Sequence, residues 1–415
     1  MKNVKAIFVV LALAFTFRLA WAVSIPVVPL SDSAAYDKFA SVLAEYGVYG
    51  WTPDQPSAYW PVGTSAIYAA LYLVFGHSYT PIVVLNVVLG TAIVGMTVWL
   101  GRCLFDANVA FVGGCLMAIW PSEIAYVTIL GSELPFTFLV LLGFVAWYSR
   151  RLNTTACGAS TGLAFGAASY VRPIALLLPI VLWLTALPNW RKWRAQLPMA
   201  LLALAVTGAT IVPWSIRNTK VFGEFVLLST NGGSNMWMGN NPDSDGSYMS
   251  LPTITANVNE SKLDRALGEQ AKRYIFSHPI AFVLRSIKKA VLLHVGETIA
   301  VHWNTEGIKR RFGESALFPL KLITQGFWTG ALLLALSGLV IMMRANGIVS
   351  TMMHPVVVTW GYFTAIFAVT AIQDRYHFPS HPFIAMLAAI AIVGVARLAH
   401  GQSLWLTTKD IGAQR

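Results

Sequence analysis

Apolar runs of about twenty residues recur throughout this chain and constrain its fold more than any other feature, because that length spans the hydrocarbon core of a bilayer. Hydrophobic residues make up 56% of the 415 residues and charged residues only 11%, whereas soluble globular chains carry about 25% charged residues. The sequence therefore predicts an all-α polytopic membrane protein and excludes a soluble globular domain.

The positions of these runs and of the basic residues predict a topology. We expect about ten transmembrane helices, near residues 5–28, 80–101, 108–129, 133–149, 155–170, 173–188, 196–214, 318–343, 353–371 and 381–397. On one side of this arrangement lie Lys2, Lys5, Arg102, Arg150, Arg151, Arg191, Lys192, Arg194, Arg344 and Arg397. The positive-inside rule makes that side, with both termini, cytoplasmic. Basic residues that set this orientation and face anionic lipid explain much of the net charge of +11. The sequence gives no indication of a basic groove for nucleic-acid binding.

Two long segments, about 29–79 and 215–317, fall on the extracytoplasmic side of this topology. Because the cytoplasmic connections are short, we expect the polar function on the outer side. The chain divides into an N-terminal transmembrane region (1–214) that includes the first outer loop, a small extracytoplasmic cap (215–317), and C-terminal transmembrane helices with a short cytoplasmic tail (318–415).

Patterning within the outer segments predicts further helices. Residues 33–46 place their apolar residues on one face and are expected to form a helix in the plane of the membrane interface. Residues 61–75 are apolar but too short to span comfortably, so an interfacial or re-entrant helix is expected there. Amphipathic helices are predicted at about 259–276 and 278–294. The glycine- and asparagine-rich run 231–242 predicts an irregular loop.

Asp32 follows the first apolar run directly, in Ser31-Asp32-Ser33-Ala34-Ala35-Tyr36. One interpretation is a general base or charge stabiliser at the membrane surface. The other is a helix N-cap, a position that favours aspartate. The two roles are compatible, and Asp37 and Asp54 are alternative carboxylates in the same segment.

Glu133 stands at the outer start of a predicted membrane helix. Glu133 either complements the helix dipole or provides a second carboxylate that faces the same cavity as Asp32. Glu123 is the alternative residue for this second carboxylate. Ionisable groups at membrane depth are costly, so a functional carboxylate is a reasonable expectation here.

Arginines near the outer helix ends are candidate phosphate ligands. Arg172 precedes Pro173, which should break the helix into a tight turn. A guanidinium there can hold a phosphate bidentately or reach for lipid headgroups, and Arg217 has the same two interpretations.

The segment 373–379 joins the last two predicted helices and contains Arg375, Tyr376 and His377. It predicts a phosphate or sugar clamp, or an interfacial anchor. No second histidine is recognised at ligand spacing from His377, so no metal site is predicted.

The sequence has no phosphate-binding loop, dinucleotide fingerprint or nucleophile elbow. Any activated donor on the outer side is therefore expected to be lipid-linked.

Five segments in order resemble the polytopic glycosyltransferases of the GT-C fold, close to glycosyltransferase family 39. They are Asp32-Ser33-Ala34-Ala35-Tyr36, Trp60-Pro61-Val62-Gly63, Ser132-Glu133, Tyr170-Val171-Arg172-Pro173 and Arg375-Tyr376-His377-Phe378-Pro379. The stretch from Gly232 to Pro242, which contains Asn235 and Asn240, resembles a loop of many bacterial members.

The resemblance implies a hexosyl- or pentosyltransferase that moves a sugar from a polyprenyl-phosphate donor to a glycan, lipid or protein acceptor. It implies that Asp32 is the catalytic carboxylate. Glu133 is the second expected catalytic residue, which would orient the sugar or the acceptor. The segments that carry the resemblance, together with Arg217 from its position, give the expected substrate-binding residues, which are Tyr36, Trp60, Arg172, Arg217, Asn235, Asn240, Arg375, Tyr376 and His377. Ser33 replaces the second adjacent acid of the protein mannosyltransferases, which argues against protein O-mannosylation.

The implied location is a bacterial inner membrane with the active site on the extracytoplasmic side, among membrane lipids. No cofactor is predicted, and a divalent metal is left open. The alternatives are a transporter or flippase of lipid-linked sugars, for which no internal repeat is found, and a polysaccharide polymerase or ligase.

Overall fold

The computed structural model describes residues 2–252 and 259–400. In the first half of the chain its elements are α1 (Lys2–Ser24), α2 (Asp32–Tyr46), β1 (Gly50–Thr52), β2 (Gln55–Pro56), α3 (Gly63–Phe75), α4 (Thr80–Leu104), α5 (Ala107–Ala118), α6 (Pro121–Ala125), α7 (Glu133–Trp147), α8 (Thr154–Val171), α9 (Leu178–Leu184) and α10 (Trp190–Phe222). In the second half they are α11 (Gly232–Gly239), α12 (Glu260–Ser277), α13 (Pro279–Leu292), α14 (Ile299–Trp303), α15 (Thr305–Phe312), α16 (Leu317–Asn346), α17 (Ile348–Met352), α18 (Pro355–Val369) and α19 (His381–Ala399). Short 3-10 helices occupy Tyr126–Thr128, Pro173–Leu177, Glu314–Ala316 and Phe378–Ser380.

Helices coincide with every predicted span, which confirms an all-α integral membrane protein. Within the described ranges, five helices are long and apolar enough to cross a bilayer: Lys5–Ser24, Thr80–Leu104, Trp190–Phe222, Glu314–Asn346 and Phe378–Ala399. The pair Ala107–Ala118 and Pro121–Thr128, bent by 52°, makes a sixth if it is counted as one span. Shorter or less apolar helices, α7, α8, α9 and α18, occupy the remaining predicted spans.

Small residues hold α8 inside the bundle. Gly158, Gly162 and Gly166 form a stripe that faces α10. A Cβ added at Gly162 would lie 2.6 Å from the carbonyl oxygen of Ala203, so the two backbones approach too closely for any side chain there. Such stripes allow close helix contact in membranes, where lipid competes with every apolar surface.

The core of the bundle surrounds α19. This helix packs against α5 and α16, and its residues from Ile384 to Ala391 are buried on all sides. A helix that is apolar all round belongs in an interior rather than at a surface. The first turn of α19, at His381, points toward the end of the bundle where the long connecting segments lie.

We call that end the cap end; it comprises residues 25–79 and the described part of 223–316. The predicted helices at 33–46, 61–75, 259–276 and 278–294 are confirmed as α2, α3, α12 and α13. A short hairpin of β1 and β2 pairs Gly50 with Pro56 and was not predicted.

The prediction of an irregular loop at 231–242 is wrong, because Gly232–Gly239 forms the helix α11. Two of its glycines, Gly233 and Gly239, allow other segments to approach the backbone closely. A Cβ at Gly233 would lie 2.0 Å from the carbonyl oxygen of Asp264, and one at Gly239 would lie 2.2 Å from that of Thr370. The composition indicated a loop, whereas packing against α12 and the end of α18 required glycine within a helix.

Candidate active site

A cavity of about 360 Å³ opens at the cap end, a volume typical of small-molecule sites. Segments distant in sequence enclose it: the start of α2, the turn before α7, the end of α8, α11 and the loop before α19. We call it the first cavity. Seven of the predicted site residues line it: Asp32, Tyr36, Trp60, Arg172, Asn235, Arg375 and Tyr376.

Asp32 is the first residue of α2 and its carboxylate faces Arg375. The two side chains form an ion pair, with Arg375 Nη2 donating to Asp32 Oδ2 at 2.6 Å. The N-cap interpretation of Asp32 is wrong, since Ser31 holds that position and no side chain caps the helix. Ser31 has φ of 54°, a conformation that costs a non-glycine residue about 1–3 kcal/mol and that often occurs near functional sites.

Arg375 is the centre of the charged network. Its Nε donates to Gln373 Oε1 at 2.7 Å, its Nη1 lies 3.6 Å from Glu133 Oε1, and its guanidinium stacks over Trp303 at 4.5 Å. Burial opposes the charge, but Asp32 and Glu133 outweigh that effect and hold the pKa of Arg375 well above its usual value. Arg375 is therefore a fixed cation.

Glu133 and Arg172 complete the network. Glu133 is fully buried at the start of α7. Its Oε1 accepts a hydrogen bond from Arg172 Nη2 at 2.5 Å. Arg172 Nε and Nη2 also donate to Ser132 Oγ at 3.0 and 2.8 Å. Two carboxylates and two guanidiniums thus balance in charge, and Arg172 Nη1 has no hydrogen-bond partner among the described residues.

Aromatic rings cover the charged network. The Tyr376 ring lies between the two guanidiniums, 5.9 Å from Arg172 and 5.5 Å from Arg375, and stacks on Phe367 at 4.6 Å. Burial and then Asp32 raise the pKa of Tyr36 above its usual value. The Tyr36 phenol therefore stays protonated over the physiological range and can donate a hydrogen bond.

A second cavity of about 740 Å³ also borders the Asp32–Arg375 pair. Residues of α14 and of the segment before it form its far wall, including His302 and Trp303. The wall shared by the two cavities consists of Asp32, Tyr248, Gln373 and Arg375. One carboxylate is therefore accessible from two separate spaces.

The structure places three predicted site residues elsewhere. Arg217 donates to the backbone oxygens of Ser57 and Tyr49, at 2.8 and 3.0 Å, and joins α10 to the segment between α2 and α3. Asn240 is buried and bonds the end of α18 through Val369 O. His377 donates from Nδ1 to Leu293 O at 2.8 Å, away from the cavity.

The alternative carboxylates also lie elsewhere. Asp37 accepts hydrogen bonds from Tyr72 and Tyr79, at 2.7 and 2.9 Å, and pairs with His77. Asp54 is exposed in the hairpin turn, and Glu123 is buried near His381.

Sequence reasoning did not single out several residues at the cavities. Ser132, Gln373 and Tyr59 lie inside or beside the quoted motifs, so their polarity there was an available signal. Trp303 and Tyr248 carried no such signal, because only the folding of the cap segment brings them to Asp32.

This helical arrangement has the GT-C fold of membrane glycosyltransferases. Two solved structures are similar to it over nearly the whole chain. The oligosaccharyltransferase AglB of Archaeoglobus fulgidus, in complex with an inhibitory peptide and a dolichol-phosphate, matches with a TM-score of 0.57 and 10% identity over 97% of this chain and 51% of its own. ArnT of Cupriavidus metallidurans, bound to undecaprenyl phosphate, matches with a TM-score of 0.58 and 15% identity over 95% of this chain and 64% of its own.

The chain thus spans about half the length of that oligosaccharyltransferase and under two thirds of that ArnT. No family model matches the sequence, and no curated protein is significantly similar to it. The likeness establishes the fold, and membership of glycosyltransferase family 39 stays a prediction.

Proposed function

We propose that the protein is a glycosyltransferase that moves a sugar from a polyprenyl-phosphate donor to an acceptor at the cap end, which faces the extracytoplasmic side of a bacterial inner membrane. The observation that carries the proposal is the wall between the cavities, where Asp32 and Arg375 are accessible from both. A transferase needs one catalytic group between two substrates, and this arrangement provides it.

The donor is assigned to the first cavity. Its phosphate would contact Arg172 and Arg375, because guanidiniums recognise phosphate oxygens with paired donors. The cavity also has an apolar side, with Ile174 and Phe367, that suits the start of a lipid tail. Tyr59 and Trp60 offer aromatic surface and polar groups to a sugar.

The acceptor is assigned to the second cavity. Its hydroxyl oxygen attacks the anomeric carbon as the bond from that carbon to the phosphate oxygen breaks. Asp32 takes the hydroxyl proton, and the polyprenyl phosphate leaves with the electron pair of the broken bond. Arg172 and Arg375 stabilise the charge on the leaving group, and Glu133 keeps Arg172 oriented.

Donor binding would also release the base. In the structure, Arg375 Nη2 is bonded to Asp32. The phosphate of the sugar donor, when it lies beside Arg375, competes with Asp32 for the hydrogen bond from Arg375 Nη2. The Asp32 carboxylate can then turn toward the acceptor. Two observations support the donor class in general: the solved relatives bind dolichol-phosphate and undecaprenyl phosphate.

The test uses purified protein in nanodiscs with radiolabelled undecaprenyl-phosphate hexoses and pentoses and an extract of cell-envelope acceptors. Sugar transfer with release of undecaprenyl phosphate is expected. Asp32→Asn should lower the transfer rate about 10²–10⁴-fold, while Asp54→Asn, an exposed acid in the same segment, should leave it unchanged.

Normal transfer by Asp32→Asn would show that Asp32 is not the base. Movement of the labelled lipid across the bilayer without bond cleavage would favour a flippase instead. Mass spectrometry of cell-envelope glycans after deletion of the gene would identify the sugar and its acceptor.

A further inference from the structure

We propose that Glu297, His377 and His381 form a binding site for a divalent transition-metal ion of the zinc class, behind the loop that carries Arg375. The three side chains are buried. One ligand atom of each lies within 4.8 Å of those of the other two. Two histidines and a glutamate are a known zinc-binding set.

The prediction that no histidine stands at ligand spacing from His377 is wrong. His381 follows four residues later, at the start of α19. A 3-10 turn, Phe378–Ser380, separates the two and brings their ring centres to 5.4 Å. Glu297 comes from the segment before α14, about eighty residues earlier in the chain, so sequence spacing gave no indication of it.

The hydrogen bonds of His377 leave one nitrogen available for a metal. His377 Nδ1 donates to the carbonyl oxygen of Leu293 at 2.8 Å. Its Nε2 then carries the lone pair, and this buried atom has no hydrogen-bond partner among the described residues. A backbone carbonyl on one nitrogen commonly fixes the tautomer of a metal-binding histidine.

His381 repeats this pattern with a carboxylate in place of the carbonyl. Its Nδ1 lies 3.1 Å from Glu123 Oε1. Its Nε2 lies 3.1 Å from Glu297 Oε1 but outside hydrogen-bond geometry, and has no hydrogen-bond partner in the described part of the chain. A carboxylate, a histidine and a metal in this order are a recurrent arrangement at zinc sites.

Glu297 presents its carboxylate from the third direction. Its Oε1 accepts a hydrogen bond from Trp120 Nε1 at 3.3 Å and a shorter one from Ser122 Oγ. Its Oε2 is buried and has no hydrogen-bond partner among the described residues. His377 Nε2 and Glu297 Oε2 are therefore buried without a hydrogen bond among the described residues, and the contact of His381 Nε2 with Glu297 Oε1 is electrostatic only. Buried polar atoms in this state are costly without an occupant.

Stacked tryptophans fix the two imidazole rings. Trp120 stacks on His381 with ring centres 4.5 Å apart, and Trp328 stacks on His377 at 4.1 Å.

In a tetrahedral zinc site with bonds of about 2.0 Å, neighbouring ligand atoms lie roughly 3.3 Å apart. Side-chain adjustments of about 1 Å would therefore close the site.

Charge also favours a cation here. Glu123 and Glu297 are both buried and flank His381 from opposite sides. Two buried carboxylates need compensating positive charge. The buried Arg18 interacts electrostatically with Glu123 and donates to the carbonyl oxygens of Ala14, Met117 and Ala118, so its single charge compensates at most one of the two carboxylates. A proton on His381 would supply positive charge but would leave His377 Nε2 without a partner. A metal ion would supply the charge and would also bind His377 Nε2.

The metal would hold the loop that carries Arg375 in position. His377 lies two residues after Arg375, and Asp374 Oδ2 accepts from the N–H of Thr298, beside Glu297, at 3.2 Å. Ligation of His377 and Glu297 would clamp this loop to the segment before α14. The site is distinct from the carboxylates of the two cavities and does not depend on the proposed transfer reaction.

The experiment measures metal binding directly. Full-length protein in nanodiscs is stripped with a chelator and titrated with Zn²⁺ and with Co²⁺, whose visible absorption reports a four- or five-coordinate site. We expect about one equivalent bound, measured by inductively coupled plasma mass spectrometry. Glu297→Gln and His381→Gln should weaken binding at least about 100-fold, and Glu123→Gln, which only orients His381, about 10–100-fold.

His294→Gln is the matched control. His294 lies near His377, with ring centres 6.2 Å apart, but both of its nitrogens are occupied, by Ala290 O and Trp360 Nε1. It should keep full metal content. Failure of the folded wild-type protein to bind Zn²⁺ or Co²⁺ would overturn the proposal and favour a protonated His381, and so would unchanged affinity in Glu297→Gln.

Discussion

The pairing of Glu133 with Arg172 predicts that Glu133→Gln destabilises the protein strongly. Glutamine has the same shape as glutamate, so the change removes one negative charge and creates no cavity. Glu133 is fully buried, 2.5 Å from Arg172 Nη2 and 3.6 Å from Arg375 Nη1. In the variant, Asp32 alone balances the buried guanidinium of Arg375 and that of Arg172, whose side chain is 12% exposed.

Removal of one partner from a buried ion pair typically costs about 3–5 kcal/mol, because the remaining charge stays buried without compensation. We expect a loss of that size in the free energy of unfolding. The measurement is denaturant-induced unfolding in mixed micelles, followed by tryptophan fluorescence and circular dichroism. Glu314→Gln is the control, since its pair with Lys309 is at the surface, with the Glu314 side chain 80% exposed, and should contribute nothing measurable.

A double-mutant cycle separates the charge interaction from other effects. Arg172→Gln should also destabilise the protein, but the double variant should lose less than the sum of the two, with a coupling energy of about 1–3 kcal/mol. If the two effects are additive, or if Glu133→Gln unfolds like the wild type, the assignment of a buried, charge-balanced network is refuted.

Three other substitutions are expected to affect ligand binding, helix packing and the pH dependence of stability. Arg172→Lys keeps the charge but loses the fork of donors, so undecaprenyl phosphate should bind about tenfold more weakly; equal affinity by equilibrium titration would argue against phosphate recognition there. Gly162→Ala places a Cβ 2.6 Å from Ala203 O and should lower the thermal midpoint of unfolding, whereas Gly208→Ala, which meets nothing within 4 Å, should not. Burial, with a smaller contribution from Arg285, lowers the pKa of Lys289 from 10.5 to about 8, so the charged form destabilises the fold and stability should rise with pH between those values. Lys289→Met should lack that rise, and a parallel pH profile would contradict the assignment.

The sequence determined the membrane fold because apolar length and charge placement act locally. Apolar runs predicted helices at every span, and amphipathic spacing predicted α2, α3, α12 and α13. Asp32, Arg172 and Arg375 could be singled out because ionisable residues at the ends of apolar runs are costly and rare. Each of these signals lies within a stretch of about twenty residues.

Only the tertiary structure decided how these residues combine. Asp32 and Arg375 are 343 positions apart, and their pairing depends on how α2 and the last loop pack at the cap end. The same packing turned Arg217 and Asn240 to backbone partners and made a helix of the glycine-rich run that local composition assigned to a loop.

The two proposed sites also depend partly on sequence and partly on tertiary structure. Sequence motifs placed polar residues at the cap end, but the wall shared by two cavities exists only because distant segments meet around Asp32. His377 and His381 stand close in sequence, yet Glu297 reaches them only through the fold. Local propensities act within a few turns of chain, whereas side-chain partners and cavities result from long-range packing, which no stretch of sequence encodes by itself.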